Sequence, residues 1–132
     1  MSFVERHGLQ TVERRDAARR VAEIVRSEKL ELVRLSFPDQ HGILRGKTLV
    51  AEEALKALDG GCTLTTTMFA KDTSHRSVFP VFTANGGFGM PEMQGAADAL
   101  MIPDPDSFRI LPWAAPVPAE IAAQVPHLTA AQ

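Results

Sequence analysis

Leu32-Val33-Arg34-Leu35-Ser36-Phe37-Pro38-Asp39-Gln40-His41-Gly42-Ile43-Leu44-Arg45-Gly46-Lys47-Thr48-Leu49-Val50 is the stretch on which the fold turns. Val33, Leu35 and Phe37 recur with period two and share one face of a strand. Pro38-Asp39-Gln40-His41-Gly42 is dense in turn formers, because Pro presets φ, Asp bonds nearby amides and Gly accepts positive φ. Ile43 to Val50 then resumes the extended pattern. The two halves read as a hairpin.

Upstream, the period is 3.6. Ala17, Ala18, Val21, Ala22, Ile24 and Val25 form one apolar stripe, which predicts a helix from about Val12 to Glu28 with Thr11 as its N-cap. Arg14, Arg15, Arg19, Arg20 and Arg26 lie largely off the stripe. Glu13, Asp16, Glu23 and Glu28 interleave with them, which describes a solvated, ion-paired face better than a nucleic-acid contact. Downstream, Ala51 to Leu58 reads as a short helix, with Ala54, Leu55 and Leu58 inward and Gly60-Gly61 as its stop. Thr63 to Phe69 is Thr-rich and β-prone. Ala99-Leu100-Met101-Ile102 and Phe108-Arg109-Ile110-Leu111 read as strands on either side of the turn Pro103-Asp104-Pro105-Asp106. Residues 70–98, with Pro80, Gly86, Gly87, Gly89, Pro91 and Gly95, are the least regular. Only Val78, Phe79, Val81, Phe82 and Phe88 offer apolar anchors there. The stretch from Lys71 to Gln94 is therefore expected to be the most mobile interior part.

These elements predict an α+β fold: a β-grasp-like mixed sheet with an N-terminal helix and a short helix packed on it. Its 132 residues suit one core. Residues 1–113 read as that domain and 114–132 as an Ala/Pro-rich tail without a strand, either a loose terminus or a docking segment. The formal charge is −2, which argues against a binder driven by phosphate contacts. The charge is uneven: residues 1–47 carry ten Lys/Arg against seven Asp/Glu, and residues 48–132 four against nine. A solvated basic helix and an acidic loop region account for that split, as would head-to-tail contact between copies.

Single residues give no chemistry by themselves. Cys62 alone excludes an internal disulfide framework and a Cys-rich zinc site. His7, His41, His75 and His127 lack metal-ligand spacing. Gly86-Gly87-Phe88-Gly89 lacks the Lys-Ser/Thr that completes a phosphate loop and reads as a flexible loop. Asp104 and Asp106 sit first of all in a turn sequence. No apolar run approaches the ~18 residues that span a bilayer, and the start lacks an apolar signal core. The expectation is a cytoplasmic protein without membrane or nucleic-acid partners.

Phe37-Pro38-Asp39-Gln40-His41-Gly42, followed by Arg45-Gly46-Lys47, resembles the first hairpin of the N-terminal β-grasp domain of glutamine synthetases. The resemblance is closest to the γ-glutamyl-polyamine synthetase type. Pro103-Asp104-Pro105-Asp106-Ser107-Phe108-Arg109-Ile110-Leu111-Pro112-Trp113, with Ala96-Ala97-Asp98 before it, is similar to the segment that closes that domain. Two motifs in this order are more specific than either alone, and the resemblance covers about residues 14–113.

Family members use ATP and metal ions to activate the γ-carboxylate of glutamate, and an amine then attacks the acyl phosphate. The resemblance therefore implies no cofactor in this chain. ATP and Mg or Mn are expected only in a partner catalytic domain, or in a homo-oligomer that brings one. It also implies that Gly61 to Met68 is the loop lent to the amine site, with Thr65 and Thr66 where an ammonium-binding aspartate is expected. A threonine hydroxyl is no base at neutral pH, which favours a larger amine or no reaction. Asp39, Arg45 and Lys47 are candidate substrate or partner contacts, Arg45 and Lys47 sharing one strand face. An Asp in a Gly-containing turn also suits bonds to its neighbouring amides. The competing reading is a stand-alone β-grasp interaction module without catalysis.

Overall fold

The computed structural model describes residues 1–95, 97–112, 121–124 and 127–130, the last two segments by their backbone alone. Helix α1 (Phe3–Arg6) is followed by α2 (Val12–Ser27), and the hairpin consists of β1 (Leu32–Pro38) and β2 (Leu44–Val50). Then come α3 (Ala51–Gly60), β3 (Cys62–Thr65), β4 (Asp98–Ile102), β5 (Arg109–Ile110), β6 (Ile121–Gln124) and β7 (His127–Ala130). The α+β class holds, but the strands divide between two sheets. One runs β2-β1-β6-β5, with β1 and β2 antiparallel and β1 and β6 parallel; the other runs β3-β4-β7. The strands on either side of the Pro103–Asp106 turn therefore do not pair with each other, because β4 pairs with β3 and β5 with β6.

Thr11 caps α2 as its sequence predicts, its hydroxyl accepting from the Arg14 amide at 3.1 Å. Ala17, Val21 and Val25 are buried along the stripe, whereas Ile24 lies at its edge and is exposed. Val21 and Val25 pack with Val33, Leu35 and Phe37 of β1, Ala54, Ala57 and Leu58 of α3, and Leu64, Ala99 and Met101 of the second sheet. Both sheets and both longer helices thus share one core. A satellite of Val4, Leu100 and Ile102 closes the other face of β4.

The polar face of α2 differs from its reading in one respect. Arg19 and Arg20 do form exposed ion pairs, with Asp16 and Asp106. Arg14, however, turns inward and donates to the carbonyls of Leu58 at 2.6 Å and Pro103 at 2.9 Å. It thereby satisfies a carbonyl near the end of α3 and ties the 103–106 turn to both helices. Burial pulls the Arg14 guanidinium below its ordinary value, against the raising charges of Asp104, Asp59 and Asp106.

Helix α1, strands β6 and β7 and a 3-10 turn escaped the sequence reading. Helix α1 is held by a reciprocal cap, with Ser2 Oγ accepting from the Glu5 amide and Glu5 Oε2 from the Ser2 amide. The segment read as strandless carries β6 and β7. Its Ala-rich sequence shows no alternation, and their pairing partners lie far away in the chain. The boundary at residues 113 and 114 falls where description stops. Thr66–Ala70 is a 3-10 turn rather than an extension of β3. Thr65 caps this turn, the kind of local bond with which Thr competes against a ladder.

Gly61 ends α3 with φ +77° and ψ 177°, a region open essentially to glycine alone. A Cβ there would stand 2.7 Å from side-chain carbons of Leu100 and Ile102. Gly61→Ala is expected to lower stability by roughly 1–3 kcal/mol through overpacking and strain. Urea denaturation checks this, and an unshifted midpoint would show that the Leu100 and Ile102 side chains yield freely.

Candidate functional site

The hairpin tip is built around one carboxylate. Asp39 Oδ1 accepts from the amides of His41 at 2.8 Å and Ile43 at 2.9 Å, and Oδ2 accepts from Arg45 Nε at 2.8 Å. The side chains are 0% and 7% exposed. Burial pushes the Asp39 carboxyl up, but the Arg45 bond, the two amides and the Arg45 charge outweigh it and leave the carboxyl below its ordinary value. Arg45 Nη1 lies 2.7 Å from His75 Nδ1. Arginine carries only donors, so His75 Nδ1 is the acceptor in this bond.

Asp39 and Arg45 are thus brought together and spend their charges on each other. Lys47 shares the face of Arg45 but is exposed, and the two line a cleft of about 400 Å³ with Arg34 and Ser36.

Thr65 and Thr66 follow one another but face different surroundings. Thr65 Oγ1 lies 3.1 Å from Thr67 Oγ1 and is occupied within the turn. Thr66 is 2% exposed; its amide donates to Ala97 O at 2.8 Å, and its hydroxyl has no hydrogen-bond partner among the described residues. Thr66 lines a groove of about 510 Å³ together with Gln40 and His41 of the hairpin tip. Gln40 Nε2 fixes that junction by donating to the carbonyls of Phe69 at 2.9 Å and Lys71 at 3.1 Å. Sequence reasoning passed over Gln40, His75 and the groove itself. Gln40 and Phe69 are 29 residues apart, and no periodicity links them.

The far wall comes from residues 71–95. Asp72 Oδ1 accepts from the amides of Ser74 and Arg76 and closes a loop that presents His75 at φ +64° to Arg45. Of the five apolar anchors expected here, Val81 alone is buried; Val78, Phe79, Phe82 and Phe88 are exposed. Among the described residues, no group of three or more His, Cys, Asp and Glu is placed to hold a metal ion. Among the described residues, no helix is long and apolar enough to cross a membrane.

Two measurements follow from this geometry. The folded Asp39 carboxyl lies below its unfolded value, so its contribution to stability is complete above the unfolded value and is lost as pH falls through the folded one. The stability difference between the native chain and Asp39→Asn should be constant above about pH 5 and shrink below about pH 4. A difference independent of pH down to acid unfolding would contradict the buried pair. In amide exchange, residues 83–94 should exchange faster than 32–37, since their bonds are short-range turns and Phe82 and Phe88 stay exposed. Equal protection of the two segments would refute this.

No family model matches the chain. A γ-glutamylanilide synthase of Acinetobacter sp is 39% identical over 117 residues, covering 86% of this chain and 23% of that protein. The solved chain "GmaS/ADP complex-Conformation 1" superposes with a TM-score of 0.54 at 25% identity, covering 80% of this chain and 19% of its own length. "Apo GmaS without ligand", at 24% identity, shares the fold with the same TM-score over 83% of this chain and 20% of its own. The chain therefore spans less than a quarter of the length of the proteins it matches. Over most of its own length, it is a homologue of one part of a glutamine-synthetase-like enzyme.

Proposed function

We propose that this chain is the β-grasp portion of an ATP-dependent glutamate–amine ligase. In this reading it completes the amine side of an active site whose nucleotide and metal ions are held by a catalytic domain, and it performs no reaction alone. The observation that carries the reading is the 39% identity, over 86% of the chain, to a protein that makes a γ-glutamylanilide.

The reaction consumes ATP to convert the γ-carboxylate of glutamate to an acyl phosphate. The amine nitrogen attacks that carbonyl carbon and phosphate leaves. Ammonium must lose a proton before it attacks, and a carboxylate serves that step. The Thr65–Thr66 segment offers hydroxyls instead, which suits an amine that arrives neutral. An arylamine is neutral at pH 7 and keeps its lone pair free without a base. The exposed apolar side chains Val78, Phe82 and Met90 supply surface for the catalytic domain of the same or a neighbouring subunit.

Mixing the chain with a relative's catalytic domain that lacks its own counterpart of this region tests the proposal. Glutamate- and amine-dependent phosphate release should appear only in the mixture. Calorimetric titration of the chain alone with Mg-ATP should give no heat of binding. Micromolar nucleotide binding by the chain alone, or no gain on mixing, would sink the proposal. A monomer that docks on other proteins without restoring turnover would point to the interaction-module reading.

A further inference from the structure

Helices α2 and α3 leave an open groove between them. Its volume is about 440 Å³, and its apolar lining comes from Ala18 and Ala22 of α2 and Leu55 and Leu58 of α3. Ala18, Ala22 and Leu55 are only half-buried there. Arg15, Arg19 and Arg26 line the groove from α2 as well, and all three are exposed. At about 100° per residue, positions 15, 19 and 26 fall within roughly 40° of arc, with 18 and 22 on the strip beside them. The arginines thus form one row, about 16 Å long at 1.5 Å per residue.

The charge of this row is largely uncommitted. Arg15 and Arg26 form no ion pair among the described residues, although the Arg15 charge acts on Glu5. Arg19 meets Asp16 at 3.4 Å with both side chains exposed, and an ion pair in water holds little energy. Asp59 is the one acid of the lining, and its charge already acts on Arg14. Gln10 lines the same groove and keeps a buried Oε1 without a hydrogen-bond partner among the described residues. Arg14 differs from the row: its bonds to Leu58 O and Pro103 O hold α3 against α2, so the groove keeps its shape.

We propose that this groove is the docking surface for an acidic amphipathic helix of a partner protein. The apolar stripe of that helix covers Ala22 and Leu55, where small side chains allow two helices to pack closely. Glutamates on one edge of the stripe, at the spacing of Arg15, Arg19 and Arg26, meet guanidinium groups suited to bidentate carboxylate bonds. A compact anion would reach only part of a row about 16 Å long. A nucleic-acid backbone would meet Asp16 and Glu23 on the adjoining strip of α2 and Asp59 on α3. No lining residue is shared with the groove at the hairpin tip, so the inference does not depend on the ligase reading.

The test titrates the full chain with a capped peptide of Glu, Ala and Leu in that pattern, about 18 residues long so that a helix can form. A twin with Gln for every Glu is the control, and backbone amide and arginine Nε–H resonances are the readout. The Glu peptide should bind saturably with a Kd below about 1 mM. Its shifts should map to residues 15–26 and 55–59 and spare Thr66 and Phe88. The Gln twin should bind roughly tenfold more weakly, and added salt should close that gap. Arg15→Gln combined with Arg26→Gln, both at exposed positions, should weaken the Glu peptide to the level of the twin, leave the twin unaffected and preserve the amide spectrum elsewhere. No saturation by about 1 mM, equal binding of the two peptides, or shifts centred on the hairpin-tip groove would each overturn the proposal. Tighter binding of inorganic polyphosphate or of a single-stranded oligonucleotide would overturn it in favour of a polyanion site. Shifts at the same residues that grow with the concentration of the chain alone would do so in favour of a second copy.

Discussion

The Asp39–Arg45 pair sets the arrangement of everything around it. A buried carboxylate must find partners for its oxygens or neutralise, and Asp39 finds three donors within the next six residues. Arg45 stands opposite Phe37 in the ladder. A slip of one residue would turn Arg45 to the other face of β2 and leave Asp39 buried without its cation. The apolar face of β1 and the charge pair thus demand the same register. Ion pairs of this kind are poor sources of net stability, since apolar residues of similar volume often do as well. Register is what this pair contributes.

From that register the groove follows. The turn closed by Asp39 projects Gln40, whose amide reaches the carbonyls of Phe69 and Lys71. Arg45 reaches His75 on the next loop. Three long-range bonds from one hairpin therefore hold both ends of the 69–75 segment, and Thr66 and Phe69 are carried to the floor of the groove. The ring of Phe69 also meets Phe37 of β1, 5.8 Å between centroids, so the floor is continuous with the core. A change at Asp39 would be felt at the groove through these contacts, although Asp39 does not line it.

The sequence showed most of what is decided within a few residues. The α2 stripe, the Thr11 cap, the β1–β2 hairpin, the Gly61 stop and the bonding of Asp39 to its neighbouring amides all depend on local spacing. Most of the missed features need partners far along the chain. Arg14 looks like one more surface arginine until α3 and Pro103 arrive beside it. Ile121-Ala122-Ala123-Gln124 has no alternation to announce a strand and takes its conformation from β1 and β5. Ser2-Phe3-Val4-Glu5 did carry the reciprocal-cap spacing, but four residues are too few for a periodicity to draw attention to it. The groove unites residues 40, 66 and 88, which no motif connects.

What the chain lacks and what it exposes point the same way. The described residues hold no metal-binding cluster, and the Thr-rich loop offers hydroxyls but no carboxylate. Among the apolar side chains of residues 78–90, Val81 anchors the loop, while Phe79 and Phe88 turn their rings toward the groove and Phe82 stands 77% exposed beyond it. Leaving that much aromatic surface in water is unfavourable by about 25 cal/mol for each Å² a partner could cover. The loop is therefore better suited to binding than to standing alone.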